Sequence, residues 1–149
     1  MATIDQIKKL REETNISIAE CKKALEGAGN DLAKAREILR RQGMEFAAKK
    51  KERGVGAGII ESYVHSNKKV GVLLALGCET DFVAKNNGFQ ELAHELCLQI
   101  ASMDPQDAES LLGQPFIKDP TKTIQDLISE YIARLGENII VEKFIRYEI

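Results

Sequence analysis

The stretch VGVLLALGCETDFVAKN, residues 70–86, decides the fold. One face of an extended strand over its first half would carry Val70, Val72, Leu74 and Leu76. Thr80 then has the side chain of a helix N-cap, and Asp81 suits the positive first turn of a helix. The stretch therefore predicts a buried strand that passes directly into a helix.

The segments around this stretch complete an antiparallel sheet with helices. Residues 59–65 alternate, and the polar turn at 66–69 joins them to the strand as a hairpin. Residues 89–100 and 124–135 have helical spacing, whereas 139–149 alternate again. Residues 104–120 hold all three prolines and are expected to be mostly irregular. We expect an α+β fold, with a β-β-α-α-β core and a three-stranded antiparallel sheet over residues 54–149.

The first 41 residues predict three short helices. Thr3 and Gln6 form a capping box, Ser17 and Glu20 form a second one, and Asn30 is placed to cap the third helix. Their apolar stripes are Ile4-Ile7-Leu10, Ile18-Cys21-Leu25 and Leu32-Ala35-Ile38-Leu39. Helices this short bury their stripes against one another, which predicts a compact three-helix bundle. Residues 42–53 predict a charged helical connector, so the first domain is placed at residues 1–53, before the glycine-rich break.

Composition bounds the partners and the location. Of the 149 residues, 44% are hydrophobic and 30% charged, as in ordinary globular proteins. Residues 1–55 have a net charge of +4 and residues 56–149 a net charge of −6. The acidic second part argues against direct binding of nucleic acid, whose phosphates need Lys and Arg. Three cysteines without a pairing pattern, no apolar leader and no membrane-length apolar run predict a cytoplasmic protein without a membrane partner.

No motif for catalysis or nucleotide binding stands out, so we expect no enzyme activity, cofactor or metal. His94 and Cys97 have ligand-compatible spacing, and with Glu91 and Glu95 they could form a small metalloenzyme site. Because Cys97 falls on the apolar stripe, packing in the core is the favoured interpretation. The basic run 49–51 could touch RNA, but a solvated helix face is favoured because no aromatic residue interleaves with it.

Two groups of residues leave a structural and a functional interpretation open. One is a basic set near the N-terminus, which either docks an acidic partner or only keeps the chain soluble: Lys8, Lys9, Arg11, Lys22 and Lys23. The other is the segment from Thr80 to Val83. Periodicity favours a capped helix with Phe82 pointing into the core, whereas the alternative is a protruding probe of Asp81 and Phe82.

Several motifs resemble the elongation factor Ts family. The segment TDFVAKN at residues 80–86 is similar to the signature of that family. Further similar runs, in the same order along the chain, are LREET at 10–14, CKKAL at 21–25, GQPF at 113–116, GENI at 136–139 and FIRYE at 144–148. The resemblance covers nearly the whole chain.

The resemblance implies a ubiquitin-associated-like helical domain followed by an α+β dimerisation-type core. It also implies binding to the GTPase domain of elongation factor Tu and release of GDP, with Thr80, Asp81, Phe82 and Val83 dislodging Mg²⁺ from that partner. The alternative is a non-catalytic protein- or RNA-binding adaptor. Family members commonly carry a longer helical insertion where only residues 106–111 stand here. Short members can form homodimers, which is expected here too, with exposed strand edges as a possible pairing surface.

Overall fold

The computed structural model describes residues 2–149. An N-terminal group of three helices comprises α1 (Ile4–Thr14), α2 (Ile18–Gly27) and α3 (Leu32–Lys50). Two strands and three helices follow: β1 (Ala57–Val64), β2 (Val70–Cys78), α4 (Asp81–Ala84), α5 (Asn87–Met103) and α6 (Ala108–Gly113). The chain then forms β3 (Pro115–Phe116), β4 (Asp119–Thr123), α7 (Ile124–Leu135) and β5 (Ile139–Glu148). Among the described residues, every helix is too short or too polar to cross a membrane.

The main sheet has three antiparallel strands in the order β1-β2-β5, which confirms the predicted α+β class and its three-stranded sheet. Central strand β2 turns Val72, Leu74, Leu76 and Cys78 inward onto α5, into a core that α7 also lines. In the described part of the chain, helices cover this face of the sheet and leave the other face open. Phe89 is the largest fully buried side chain and lies on the α5 stripe that the sequence predicts.

Local capping signals explain most helix boundaries. The box of Thr3 and Gln6 at the start of α1 is confirmed, with both reciprocal hydrogen bonds present. Ser17 caps α2 through its hydroxyl, which accepts from the Glu20 amide. The prediction that Asn30 caps α3 is wrong, because the carboxylate of Asp31 accepts from the amides of residues 33 and 34 instead. Gly136 ends α7 with a φ of 80°, a left-handed conformation that glycine adopts without steric cost.

The third helix is longer than predicted. Residues 42–50 are not a separate connector but continue α3 without a break. The first half of α3 packs with α1 and α2, whereas Phe46 and Ala47 in its second half pack on the core of the sheet and α7. Gly43 permits this close approach, since a Cβ built there would lie 3.2 Å from the Cβ of Ala133. The division into domains at 1–53 and 54–149, and a ubiquitin-associated-like relationship of the first, remain predictions.

Two further expectations are wrong. Residues 104–120 are ordered rather than irregular, with α6 and the hairpin of β3 and β4. The buried Gln99 side chain holds this hairpin, since it donates to the Pro115 carbonyl at 3.0 Å and accepts from the Ile117 amide at 3.0 Å. The apolar stripes of α1 and α2 also include two residues that are mostly exposed, Ile4 and Ile18.

Candidate partner-binding site

The segment that follows β2 forms an exposed tip, defined here as residues 80–82. Thr80 is extended and caps α4, with its hydroxyl accepting from the Val83 amide at 3.3 Å. Val83 and Ala84 are buried in the core. Because neighbouring residues on a helix point about 100° apart, burying these two turns Asp81 and Phe82 outward. Phe82 is 84% exposed, so the interpretation that places it in the core is wrong.

Glu137, a residue for which the sequence pattern predicts no individual role, holds the tip through hydrogen bonds. One oxygen of its carboxylate accepts from the amides of Glu79 and Thr80, at 3.1 and 3.0 Å. The other oxygen accepts from the Thr80 hydroxyl at 2.7 Å. Its position directly after a helix-ending glycine was visible in the sequence. Its contact with Glu79 and Thr80, which lie 58 and 57 positions earlier in the chain, was not visible in the sequence.

The basic residues near the N-terminus are all exposed, but they do not form one cluster around a single groove. Ile4, at 72% exposure, and Ile18, at 58%, flank a groove of about 450 Å³ together with Lys8 and Arg11. Lys9, Lys22 and Lys23 are exposed but do not line this groove. The two isoleucines belong to the predicted stripes but are exposed, and they give the groove apolar walls beside the cations Lys8 and Arg11 and one carboxylate, Glu12. Such a surface suits a protein partner with acidic groups around an apolar patch.

The alternative metal site is not assembled. The Cys97 thiol is buried and lies 3.7 Å from the Glu61 carbonyl oxygen, and burial raises its pKa to about 12. Glu95 pairs with Lys118 at 2.6 Å, whereas the exposed His94 ring lies edge-on to Tyr63. Within residues 2–149, no group of three or more His, Cys, Asp or Glu side chains is placed to hold a metal ion.

The outer face of the main sheet is a third exposed surface. It carries five large apolar or aromatic side chains, defined here as the open sheet face: Ile60, Val64, Leu73, Ile145 and Tyr147. In the register, Leu73 on the central strand lies opposite Ser62 on one side and Ile145 on the other. The described residues of this chain provide no element that covers this face.

Within residues 2–149, the fold and its surfaces define an α+β protein with an exposed tip, an N-terminal groove and an open sheet face. Residues 79–149 match the family model described as elongation factor TS. The chain is 39% identical to the elongation factor Ts of Thermodesulfovibrio yellowstonii, with 99% of this chain and 96% of the relative covered. The corresponding protein of Thermotoga petrophila is 42% identical over 99% of this chain and 96% of its own length. That of Rubrobacter xylanophilus is 39% identical over the whole of both chains.

The chain therefore belongs to the elongation factor Ts family, and it is a translation elongation factor with a role in protein biosynthesis. The resemblance that the motifs indicated is confirmed. The alignment with the Thermodesulfovibrio protein runs over 191 positions, more than the 149 residues of this chain. Part of that relative thus has no counterpart here, and the placement of the shortened segment after Pro105 remains a prediction.

Proposed function

We propose that this protein binds elongation factor Tu carrying GDP and promotes release and exchange of that nucleotide. The observation that carries the proposal is Phe82, an aromatic side chain held almost fully in solvent beside a carboxylate. An exposed aromatic residue on a fixed backbone is a common anchor of protein interfaces. Asp81 beside it would disturb a site whose charge balance depends on a cation.

The mechanism needs no covalent chemistry in this chain. In GTPases, Mg²⁺ bridges the nucleotide phosphates to the protein and neutralises their charge. Intrusion of Asp81 and Phe82 near the supports of that ion would weaken nucleotide binding. The coupling between nucleotide binding and factor binding is reciprocal, so bound nucleotide also lowers the affinity of the GTPase for the factor. A thousandfold weakening requires about 4 kcal/mol, which one buried aromatic anchor with charged neighbours can supply.

The N-terminal groove gives the proposal a second contact. Ile4 and Ile18 would be buried on binding, while Lys8 and Arg11 would steer an acidic partner. Lys9, Lys22 and Lys23 contribute positive charge outside the groove. This contact would supply affinity, and the tip would supply the disturbance of the nucleotide site. We place this activity in the cytoplasm, with neither a membrane nor direct contact with nucleic acid.

The test is release of a fluorescent GDP analogue from elongation factor Tu of the same organism. Native protein and the Asp81→Ala/Phe82→Ala double variant are compared, with folding checked by circular dichroism. Met103→Ala, an exposed apolar residue at the other end of α5, is the matched control. We expect rapid release with the native chain and the control, and loss of acceleration in the folded double variant.

Other outcomes have distinct meanings. Rapid release with the double variant would move the site to the N-terminal groove. Binding without any acceleration by the native chain would reject exchange and favour the adaptor function. Stoichiometric metal in the purified protein would favour the alternative of a metal site around His94 and Cys97.

We also propose that two copies pair through the open sheet face rather than through strand edges. Antiparallel sheets pack face to face about 10 Å apart, with their inner side chains interdigitating. A two-fold pair buries the same patch on both copies, so one apolar face is self-complementary. Within residues 2–149, no other element covers the apolar and aromatic side chains of the open sheet face. The oligomeric state in solution tests this pairing.

A further inference from the structure

We propose that Glu137 is a positioning residue for nucleotide exchange, which fixes the direction in which the tip presents Asp81 and Phe82. This inference rests on the function proposed for the tip. It adds a residue that lies behind the contact surface and acts through Thr80.

The contacts of Glu137 converge on the turn that aims the tip. Its carboxylate accepts three hydrogen bonds, from two consecutive amides and from the Thr80 hydroxyl, at distances of 2.7–3.1 Å. Hydrogen bonds to an ionised acceptor are stronger than neutral ones. The same Thr80 oxygen accepts from the Val83 amide at 3.3 Å. A donated proton on one side and an accepted one on the other fix the rotamer of Thr80, and with it the first turn of α4.

Glu137 is itself held on a rigid support. Gly136 ends α7, and Ile139 begins β5 opposite Cys78. Between them, the buried Asn138 donates from Nδ2 to the carbonyls of Lys51 and Arg53, at 3.3 and 2.7 Å. Helix, strand and the end of α3 therefore converge at this turn, and the carboxylate projects from a fixed backbone.

The tip depends on such a support because it is short. A helix of four residues forms too few internal hydrogen bonds to hold its own geometry. Buried Val83 and Ala84 anchor its far side in the core, so we expect the fold to persist when Glu137 is replaced. The near side, at Glu79 and Thr80, would lose three hydrogen bonds at once. Phe82 would then sample many directions, and only a fraction of encounters would place it productively.

The experiment measures GDP release as a function of factor concentration, which separates the maximal rate from the half-saturating concentration. For Glu137→Ala we expect the maximal rate to fall about 10- to 100-fold, while the half-saturating concentration changes less than about threefold, because the N-terminal groove is intact. Glu137→Gln keeps one acceptor oxygen and should recover part of the rate. Glu109→Ala, an exposed carboxylate on α6, serves as control and should match native protein.

Two readouts distinguish positioning from general destabilisation. In the Asp81→Ala/Phe82→Ala background, adding Glu137→Ala should change the rate less than about twofold, because neither side chain of the tip remains to be aimed. Amide hydrogen exchange should rise at residues 79–83 in Glu137→Ala and stay unchanged in β2 and α5. If Glu137→Ala does not fold, the rate comparison and the hydrogen-exchange measurement are both made on Glu137→Gln.

The proposal is overturned if Glu137→Ala and Glu137→Gln release GDP as fast as native protein while Phe82→Ala does not. It is also overturned if Glu137→Ala slows release equally in the Asp81→Ala/Phe82→Ala background. A native chain that accelerates nothing would instead reject the exchange function itself, whatever hydrogen exchange at the tip shows.

Discussion

Replacing Leu73 by Glu tests the open sheet face. Leu73 lies at its centre, on the middle strand, and its side chain points away from the core. The five side chains of the face are between 44% and 69% exposed. Covering the exposed part of each is worth about 1 kcal/mol, roughly half of what full burial of such a side chain gives.

These values predict a pair of moderate stability. In a two-fold dimer the five side chains are covered on both copies, and this apolar burial contributes about 10 kcal/mol. Association itself costs about 4–15 kcal/mol, so the net stability rests on a few kcal/mol. Leu73→Glu removes about 2 kcal/mol from the pair and places two carboxylates against an apolar surface, each with a desolvation cost of several kcal/mol. We expect the dissociation constant to rise at least about 100-fold.

Sedimentation velocity over a wide range of protein concentration measures the effect. Native protein should shift from monomer to dimer with concentration, whereas Leu73→Glu should stay monomeric. Ile18→Glu is the matched control, because it changes an exposed aliphatic residue to the same acid in the N-terminal groove. It should dimerise like native protein but slow GDP release. Urea unfolding should show both variants within about 0.5 kcal/mol of native monomer stability.

Two results would refute this reasoning. A native chain that remains monomeric at every concentration would show that the open sheet face pairs with no second copy. A Leu73→Glu variant that dimerises as tightly as native protein would move the interface elsewhere, to the strand edges that the sequence suggested.

The buried core yields two further predictions. Because burial raises the pKa of Cys97 to about 12 from an ordinary 9.0, the unfolded chain loses its proton first as pH rises, so stability should fall above about pH 9. Urea unfolding from pH 8 to 10 should show this decline, and Cys97→Ala should make it shallower; an identical decline in that variant would contradict the assignment. Gln99→Met keeps the side-chain volume but leaves the Ile117 amide and the Pro115 carbonyl without their partner, which should cost about 1–3 kcal/mol in urea unfolding. The exposed Gln90→Met on the same helix should cost less than about 0.5 kcal/mol, and an equal cost in both variants would refute the role of Gln99.

Some features follow from the sequence because neighbouring residues create them. The box of Thr3 and Gln6 depends on side chains within one turn, and the helix end at Gly136 depends on a residue without a side chain. Alternation in residues 70–78 sets the face of β2 that is buried, because a strand has a period of two residues. The α+β class follows once such strands and helices must cover each other.

The failures have a different origin. Asn30 and Asp31 are both good caps, and the choice between them depends on how the chain enters α3 from α2. The connector at 42–50 is helical in sequence, but its union with α3 depends on Phe46 and Ala47 finding the core. Residues 104–120 looked irregular because prolines suggest loops, whereas the buried Gln99 provides the partners that order the hairpin.

The sequence by itself determined the family, the order of the main strands and helices, and the segment at which the tip occurs. Only the tertiary structure decided that Phe82 points into solvent, because that depends on which neighbours the core accepts: it buries Val83 and Ala84 and excludes the ring. The hydrogen bonds between Glu137 and Thr80 join residues that lie 57 positions apart in the chain. No local pattern encodes such a contact, since it exists only once α7 and β5 have packed beside β2.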